Sequence, residues 1–232
     1  MCGKLSLFLA PRLSSTPDDA ELAELNERFE HEPAGAVVRW AVETFGSRLS
    51  VATSVQDAVL VDVAVRVDPA VDVVFVDTGE HFPETLETLE RVRRRYALNL
   101  RVVRVPTPPV RFPLADPVAC CSAAKVEALE AALEGRLAWM SGLRRSESES
   151  RADAPIVARD RRGMVKVNPL ATWSDADIAG YIADHDVPYN PLLDQGYPSI
   201  GCAPCTRPVA PGDHPRSGRW AGLDKTECGI HL

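Results

Sequence analysis

The chain has 232 residues, of which 45% are hydrophobic and 25% charged, a composition typical of a soluble globular protein. No apolar run is long enough to cross a bilayer, and the short apolar stretch after Lys4 is soon followed by acidic residues from Asp18, unlike a secretory signal. A net charge of -7 repels nucleic-acid phosphates, so an anionic ligand requires a local basic pocket. We therefore expect a cytoplasmic protein that binds neither nucleic acid nor a membrane.

The first half of the chain alternates between two kinds of apolar pattern. Residues 20–31 and 34–45 have helical spacing and predict a helical lead-in over residues 1–47. Strands are then predicted at 49–53, 71–76 and 100–105, with helices at 57–67 and 83–96 between them. The strands are continuously apolar, which suits a parallel sheet buried on both faces and joined by helical crossovers. The pattern predicts an α/β fold, a parallel sheet flanked by helices, with ligands beyond the carboxyl ends of its strands, beside residues 52–57 and 77–80.

The second half of the chain completes this domain and adds a tail. After a proline-rich connection at 106–117, Cys120 and Cys121 are predicted to open a helix that reaches residue 133. A strand at 137–141, a loop at 142–145, a strand pair between 156 and 167, and a helix from the N-cap residue Ser174 to residue 185 follow. The α/β domain is expected to cover residues 48–205. Glycine, proline and charge dominate residues 206–232, which predicts a mobile C-terminal tail.

Six cysteines in a chain without an export signal favour metal or redox chemistry over a disulfide framework. Cys202 and Cys205 form a Cys-x-x-Cys pair and Cys120 and Cys121 are adjacent, which makes four thiolates, enough for zinc or an iron-sulfur cluster. Adjacent cysteines reach separate irons of a cubane more easily than they chelate one small tetrahedral zinc. An iron-sulfur cluster is therefore favoured, with zinc and buried thiols as alternatives. Cys2 stands apart and is interpreted as incidental.

Cys228 stands alone in a tail segment that looks exposed. Lys225 and His231 favour its thiolate by their positive charge, whereas Glu227 opposes it, so the neighbouring residues do not settle the pKa of the thiol. On spacing alone, a nucleophile and an incidental cysteine both remain possible.

Several motifs in combination resemble the adenylyl-sulfate reductases, from about Arg48 to the C-terminus. These motifs are Cys120-Cys121 with Lys125, the run from Gly142 to Arg145 continuing to Ser150-Arg151, the run from Gly201 to Pro208, Arg216-x-Gly218-Arg219-Trp220, and Glu227-Cys228-Gly229-Ile230-His231. The resemblance implies an adenine-nucleotide α-hydrolase-like fold. It also implies reduction of adenylyl sulfate to sulfite and AMP in assimilatory sulfate reduction and cysteine biosynthesis, with thioredoxin as electron donor.

The resemblance further implies that Cys120, Cys121, Cys202 and Cys205 hold a 4Fe-4S cluster and that Cys228 is the catalytic nucleophile. Cys228 would take the sulfo group from the sulfonucleotide and yield it to thioredoxin as sulfite. The branch of the family that acts on the 3′-phosphorylated substrate, PAPS, lacks the four ligand cysteines, so their presence favours adenylyl sulfate. Reduction of PAPS is the alternative among enzymes, and an iron-sulfur redox sensor is the alternative from another class.

Basic residues near these motifs are the expected substrate ligands. Lys125 lies four residues after Cys121, on the same helix face, where a cation is needed between an anionic cluster and an anionic substrate. The resemblance assigns substrate binding to Gly142, Arg144, Arg145, Arg151, Arg216, Arg219 and His231 as well. For the arginines the alternative is ordinary solvated surface charge.

The loops after the first two strands are the remaining candidates. Residues 53–57 contain no glycine, unlike the phosphate cradle of pyrophosphatase relatives, so ATP hydrolysis is not expected, while a single sulfate-phosphate anhydride can still fit. Ser54 is predicted either to donate to the anion or to cap the following helix. Thr78 and Gly79 form either an ordinary turn or the edge that recognises adenosine, and the resemblance favours the second.

Overall fold

The computed structural model describes residues 16–105, 123–222, 225 and 227–230. Its α-helices are α1 (Asp19–Phe29), α2 (Ala34–Phe45), α3 (Val59–Val67), α4 (Pro83–Tyr96), α5 (Lys125–Ala132) and α6 (Asp175–His185). Its strands are β1 (Leu49–Thr53), β2 (Asp72–Asp77), β3 (Asn99–Arg104), β4 (Ala138–Ser141), β5 (Val157–Arg159) and β6 (Val165–Val167). Among the described residues, no helix is long and apolar enough to span a membrane.

The strands form one sheet in the order β3-β2-β1-β4-β6-β5. The predicted parallel pairing is confirmed for five strands, since β3, β2, β1, β4 and β6 all run the same way. The edge strand β5 instead pairs antiparallel with β6. The five residues between β5 and β6 are too few for a crossover, so these two strands join as a hairpin. The sheet is therefore mixed.

Most predicted element boundaries are confirmed to within two residues. Those of β1 and α4 agree with the structure, and Ser174 caps α6 as expected by accepting the Asp177 N–H. Helix α3 begins at Val59, two residues later than predicted, and the Asp57 side chain accepts the Val59 N–H at 3.0 Å. The predicted helix start at Cys120 lies outside the described residues.

Both faces of the sheet are covered. Alternate residues of β2 belong to different hydrophobic clusters, as the two-residue period of a strand requires. Val73 and Phe75 pack in a cluster with residues of α1, α2, α3 and α4, whereas Val74 and Val76 pack with α5 and Trp139. The N-terminal helices therefore share one core with the sheet.

A buried carboxylate fixes the amino end of β2. Asp72 is 8% exposed, and its oxygens accept two hydrogen bonds from Arg101, both at 2.7 Å, and one from the Ser50 hydroxyl. The positively charged Arg136 Nη2 lies 3.2 Å from Asp72 Oδ2. Burial raises the pKa of Asp72, but the hydrogen bonds from Arg101 and Ser50 and the charges of both arginines together hold it below its usual value. The carboxylate therefore ties β1, β2 and β3 together.

We predict that Asp72→Ala lowers the free energy of unfolding by about 2 to 3 kcal/mol, because it leaves partly buried guanidinium groups uncompensated. Since the pKa of Asp72 is depressed in the folded state, its contribution is complete above its ordinary pKa and disappears as the pH falls through the folded value. Urea unfolding at neutral pH and below pH 4 measures both effects.

Asp19→Ala is the matched control, because Asp19 is 86% exposed in its pair with Arg159, and such pairs contribute about 1 kcal/mol or less. Equal destabilisation in the two variants, or an Asp72→Ala deficit that does not shrink in acid, would contradict this account.

Candidate active site

A cavity opens at the carboxyl edge of the sheet between β1 and β4. The chain crosses from β1 to β2 on one side of β1, and β4 lies on the other side, which makes this the topological switch point where α/β sheets bind ligands. The cavity is lined by the ends of these strands, by α5 and by the tail. Of the predicted site residues, Ser54, Lys125, Gly142, Arg144, Arg151, Arg216, Arg219 and Cys228 line it.

The loop after β1 turns without glycine. Val55 takes the left-handed conformation with a φ of 50°, which is rare for a β-branched residue and typical of strained functional loops. Val55 is fully buried and its N–H donates to the Thr53 hydroxyl at 3.2 Å. Ser54 is exposed and lines the cavity, and it does not cap α3, whose first N–H is bound by Asp57. Burial raises the pKa of Asp57 above its ordinary value.

The basic side chains of the site have different surroundings. Arg144 donates to Asp175 at 2.7 Å. Arg219 donates to the Ser199 hydroxyl at 3.3 Å and stacks 4.5 Å over the Trp220 ring. Arg145 is outside the cavity lining and donates to Glu30 at 2.5 and 3.0 Å. The structure therefore brings four of the five predicted arginines to the cavity and turns Arg145 away from it.

Gly201 makes room for one of these arginines. A Cβ atom at residue 201 would lie 2.3 Å from Arg219 Nη2, so any larger residue would displace the guanidinium group. The sequence did not suggest this close contact, because the two residues meet only when the tail folds back.

Glu227 is a functional candidate that the sequence did not assign to the site. Its carboxylate accepts hydrogen bonds from Arg151 Nε at 2.7 Å, Arg151 Nη2 at 2.6 Å and Arg216 Nη2 at 3.1 Å. The backbone N–H of Cys228 donates to the same carboxylate at 2.9 Å. Burial raises the pKa of Glu227, but the hydrogen bonds and charges of Arg151, the charge of Arg216 and the Cys228 N–H together hold it below the usual range.

Cys228 lies in the wall of the cavity. The exposed position predicted for it is wrong, since Cys228 is 9% exposed and packs with Trp220, with Ile230 and Cys205 beside them. Burial follows because the tail folds back over the site. The predicted opposition of Glu227 to the thiolate is also weakened here, since Arg151 and Arg216 balance its charge. His231 lies outside the described residues.

The Cys-x-x-Cys segment forms a tight turn beside the cavity. Cys202 precedes a short 3₁₀ helix, Ala203–Cys205, and its Sγ lies 3.2 Å from the Thr78 hydroxyl. The carbonyl of Cys205 accepts the Trp220 N–H at 3.0 Å. Thr78 thus contacts a predicted cluster ligand and is not part of the cavity lining, while Gly79 is exposed with a φ of 73°.

The two-residue spacing of these cysteines on a tight turn is the spacing that one half of a four-thiolate site uses. Cys120 and Cys121, the predicted other half, lie outside the described residues. Within the described ranges, no group of three or more Cys, His, Asp or Glu side chains is placed so that it could hold a metal ion. Lys125 begins α5 and lines the cavity, as does Gly201 immediately before this turn. His81, which was not predicted, also lines the cavity, and burial lowers its pKa.

Comparison with known proteins agrees with this geometry. Residues 48–208 match the family described as phosphoadenosine phosphosulfate reductase domain. A protein of Streptomyces coelicolor named adenosine 5′-phosphosulfate reductase is 47% identical, with 91% of this chain and 95% of that protein covered. A protein of the same name from Mycolicibacterium smegmatis is 46% identical, with 94% and 98% covered.

Solved structures show the same architecture. A phosphoadenylyl-sulfate reductase from Candida auris, in a phosphate complex, superposes with a TM-score of 0.71 and 28% identity, over 82% of this chain and 98% of that one. An FMN adenylyltransferase from Candida glabrata, at a TM-score of 0.59 and 15% identity over 84% of this chain and 69% of that one, shares the fold alone.

The fold is an α/β fold of the adenine-nucleotide α-hydrolase-like kind, with the cavity at the switch point of the sheet. Within that class, the chain belongs to the phosphoadenosine phosphosulfate reductase family.

Lys166 lies on β6, near enough to Arg151 and Glu227 for their charges to act on its amine. Its Nζ is 5.1 Å from the centre of the Trp139 ring. Burial, with the positive charge of Arg151, lowers the pKa of Lys166 to about 8, against the opposing charges of Asp160 and Glu227. Keeping this amine protonated at neutral pH therefore costs folding free energy.

We predict that Lys166→Met raises the free energy of unfolding at pH 7 by about 1 to 3 kcal/mol. Between pH 8 and the ordinary lysine pKa, the unfolded lysine binds more protons than the folded one, so the wild type should gain stability with rising pH. The advantage of the variant should therefore shrink from pH 8 to pH 10, as measured by urea unfolding. Parallel stability profiles of the two proteins over this range would contradict the prediction.

Proposed function

We propose that the chain reduces adenylyl sulfate to sulfite and AMP through a sulfo group carried on Cys228. The observation that carries this proposal is that Cys228 lines the same cavity as Lys125, Arg144 and Arg219. A nucleophilic thiol beside a cluster of cations suits an anionic substrate whose reacting atom accepts a sulfur nucleophile. The names of the relatives that the chain matches support the same substrate.

The reaction consists of two displacements at sulfur. The Cys228 thiolate attacks the sulfate sulfur, a sulfur–sulfur bond forms, and the bond from that sulfur to the bridging oxygen breaks, so that AMP leaves with the electron pair. A thiolate of the electron donor then attacks Cys228 Sγ and expels sulfite. A second thiol of the donor displaces Cys228 as thiolate, so the donor leaves as a disulfide and has supplied the two electrons.

Cations of the cavity bind the substrate in this proposal. Lys125, Arg144 and Arg219 face the sulfate and phosphate charges, which a water-poor site strengthens. Ser54 and the backbone at Gly142 donate to the same anion from the loops after β1 and β4. Adenosine recognition by Thr78 and Gly79, which lie outside the cavity lining, and substrate binding by His231 stay predictions of the sequence. Arg145 has no direct part, because it is turned towards Glu30.

We further propose that Cys202, Cys205, Cys120 and Cys121 hold a 4Fe-4S cluster. The turn at Cys202 and its hydroxyl neighbour Thr78 support it. A bound cluster would supply a fixed anionic centre, and Lys125, which lines the cavity, would balance negative charge from both the cluster and the substrate. Cluster and thiols require a reducing compartment, which supports the cytoplasm as location and a thioredoxin-like dithiol protein as electron donor.

Two other functions are tested by the same assays. Reduction of PAPS predicts a preference for the 3′-phosphorylated substrate when the two sulfonucleotides compete. A redox sensor predicts no turnover of either one. The ligand cysteines and the adenosine 5′-phosphosulfate reductase relatives favour adenylyl sulfate over both.

We predict that Cys228→Ser abolishes sulfite release while AMP still binds, because a serine hydroxyl is a far weaker nucleophile than a thiolate. Sulfite assays and calorimetric titration with AMP measure the two properties. Cys2→Ser is the matched control and should keep full activity. Sulfite release by Cys228→Ser at the wild-type rate would show that Cys228 is not the nucleophile.

We predict that Cys202→Ser loses the brown visible absorbance together with bound iron, because a thiolate ligand is missing. Iron analysis and the visible spectrum of anaerobically purified protein test this, with Cys228→Ser as a variant that should keep both. A colourless wild-type protein with stoichiometric zinc would show that the site holds a different metal.

A further inference from the structure

Arg151 has its guanidinium group directed at carboxylates of the protein. Nε and Nη2 donate to Glu227 at 2.7 and 2.6 Å, and Nη1 donates to Glu147. Arg151 and Glu227 are each 7% exposed, so this forked ion pair is held away from water, where such pairs are strong and geometrically specific.

Glu227 carries this contact directly to the proposed nucleophile. The oxygen that accepts Arg151 Nη2, Glu227 Oε1, also accepts the backbone N–H of Cys228 at 2.9 Å. The chain from Arg151 to Cys228 therefore consists of two short hydrogen bonds through one carboxylate. Arg151 lies in a short 3₁₀ helix of the sheet domain, 76 residues before Glu227, so the contact joins the tail to the domain.

The charges at this point are already balanced within the protein. Arg151 and Arg216 pair with Glu147 and Glu227, so two positive charges meet two negative ones. A substrate anion gains little from a guanidinium group whose charge is compensated in this way. Lys125 and Arg219 also line the cavity. Arg144 pairs with a carboxylate, Asp175, that is 75% exposed to water and therefore compensates its charge less than the buried Glu227 compensates Arg151.

We propose that Arg151 and Glu227 form a tail clamp that positions Cys228, so that Arg151 is a positioning residue and not a substrate ligand. This inference rests on the proposed function for its catalytic meaning, but the clamp itself is a property of the tail. Breaking the clamp releases Cys228 from the cavity wall and leaves nucleotide binding in place. The attack geometry is lost, while the affinity of the site is retained.

A double-mutant cycle tests the clamp in the holoenzyme with Glu227→Gln, Arg151→Met and the double variant. The rate of Cys228 alkylation by iodoacetamide, followed by mass spectrometry, reports how open the tail is. Both single variants should be alkylated faster than the wild type. They change the local charge in opposite directions, so a shared increase reports opening of the tail and not a changed thiol pKa.

Activity and binding give the second part of the cycle. We expect each single variant to lose about a hundred-fold in kcat and the double variant to lose no more than either, because both break one contact. The dissociation constant of AMP should change by less than about three-fold, as for an interaction that acts on geometry alone. A ten-fold to hundred-fold loss of AMP affinity in Arg151→Met, with unchanged alkylation, would identify Arg151 as a substrate ligand and overturn the clamp.

Two further variants serve as controls for the double-mutant cycle. Glu147→Gln removes the other carboxylate on Arg151 without touching the tail, and its Cys228 alkylation should stay near the wild-type rate. Arg151→Lys keeps the charge but loses the forked geometry, so its Cys228 alkylation rate and its kcat should match those of Glu227→Gln. It replaces Arg151→Met in the test if that variant does not fold. Additive losses in kcat across the cycle would also reject the clamp. Because alkylation needs no turnover, a failure of Cys228 as nucleophile would be seen separately, in the activity of Cys228→Ser.

Discussion

Parallel strands cannot be joined by tight turns, and this constraint determines the position of the cavity in the fold. Each crossover returns the chain to the same end of the sheet, so the carboxyl ends of β1, β2 and β4 meet at one edge. The chain leaves β1 towards β2 and later places β4 on the opposite side of β1. The cleft between β1 and β4 follows from that order, and the loops after both strands line it.

The tail turns this open cleft into a walled site. Its contacts with the domain are polar and specific. The Trp220 N–H reaches the Cys205 carbonyl, Arg219 occupies the space left by Gly201, and Glu227 meets Arg151. Trp220 then provides an apolar surface against which Cys228 packs. The proposed cluster turn, Arg219 and the proposed nucleophile are thus connected through one segment.

Local signals in the sequence were sufficient for most of the fold. The proline at the start of α4, the serine before α6 and the apolar run of β1 each act within a few residues, and the elements they predicted are confirmed. The direction of β5 was not predicted, because a hairpin and a crossover begin with similar apolar runs. The left-handed Val55 was also missed, since its conformation depends on packing in the folded loop.

The candidate site was predictable as a set of residues but not as a set of contacts. The motifs brought Arg151, Arg216 and Cys228 to attention, and all three line one cavity. The partner of Arg151 could not be read from the sequence, because Glu227 lies 76 residues away. Arg145 was predicted to bind substrate, but it points away from the cavity. Its partner Glu30 is 115 residues away in the sequence, so this pairing could not be predicted either.

The proposed reaction requires Cys228, held in the cavity wall, to take the sulfo group from adenylyl sulfate. The most direct measurement mixes the holoenzyme with one equivalent of adenylyl sulfate without a thiol reductant and locates the product by tandem mass spectrometry. We expect the added mass of one sulfo group on Cys228 and one equivalent of AMP in solution. A sulfo group on Cys202 or Cys205, or AMP release without any protein adduct, would contradict it.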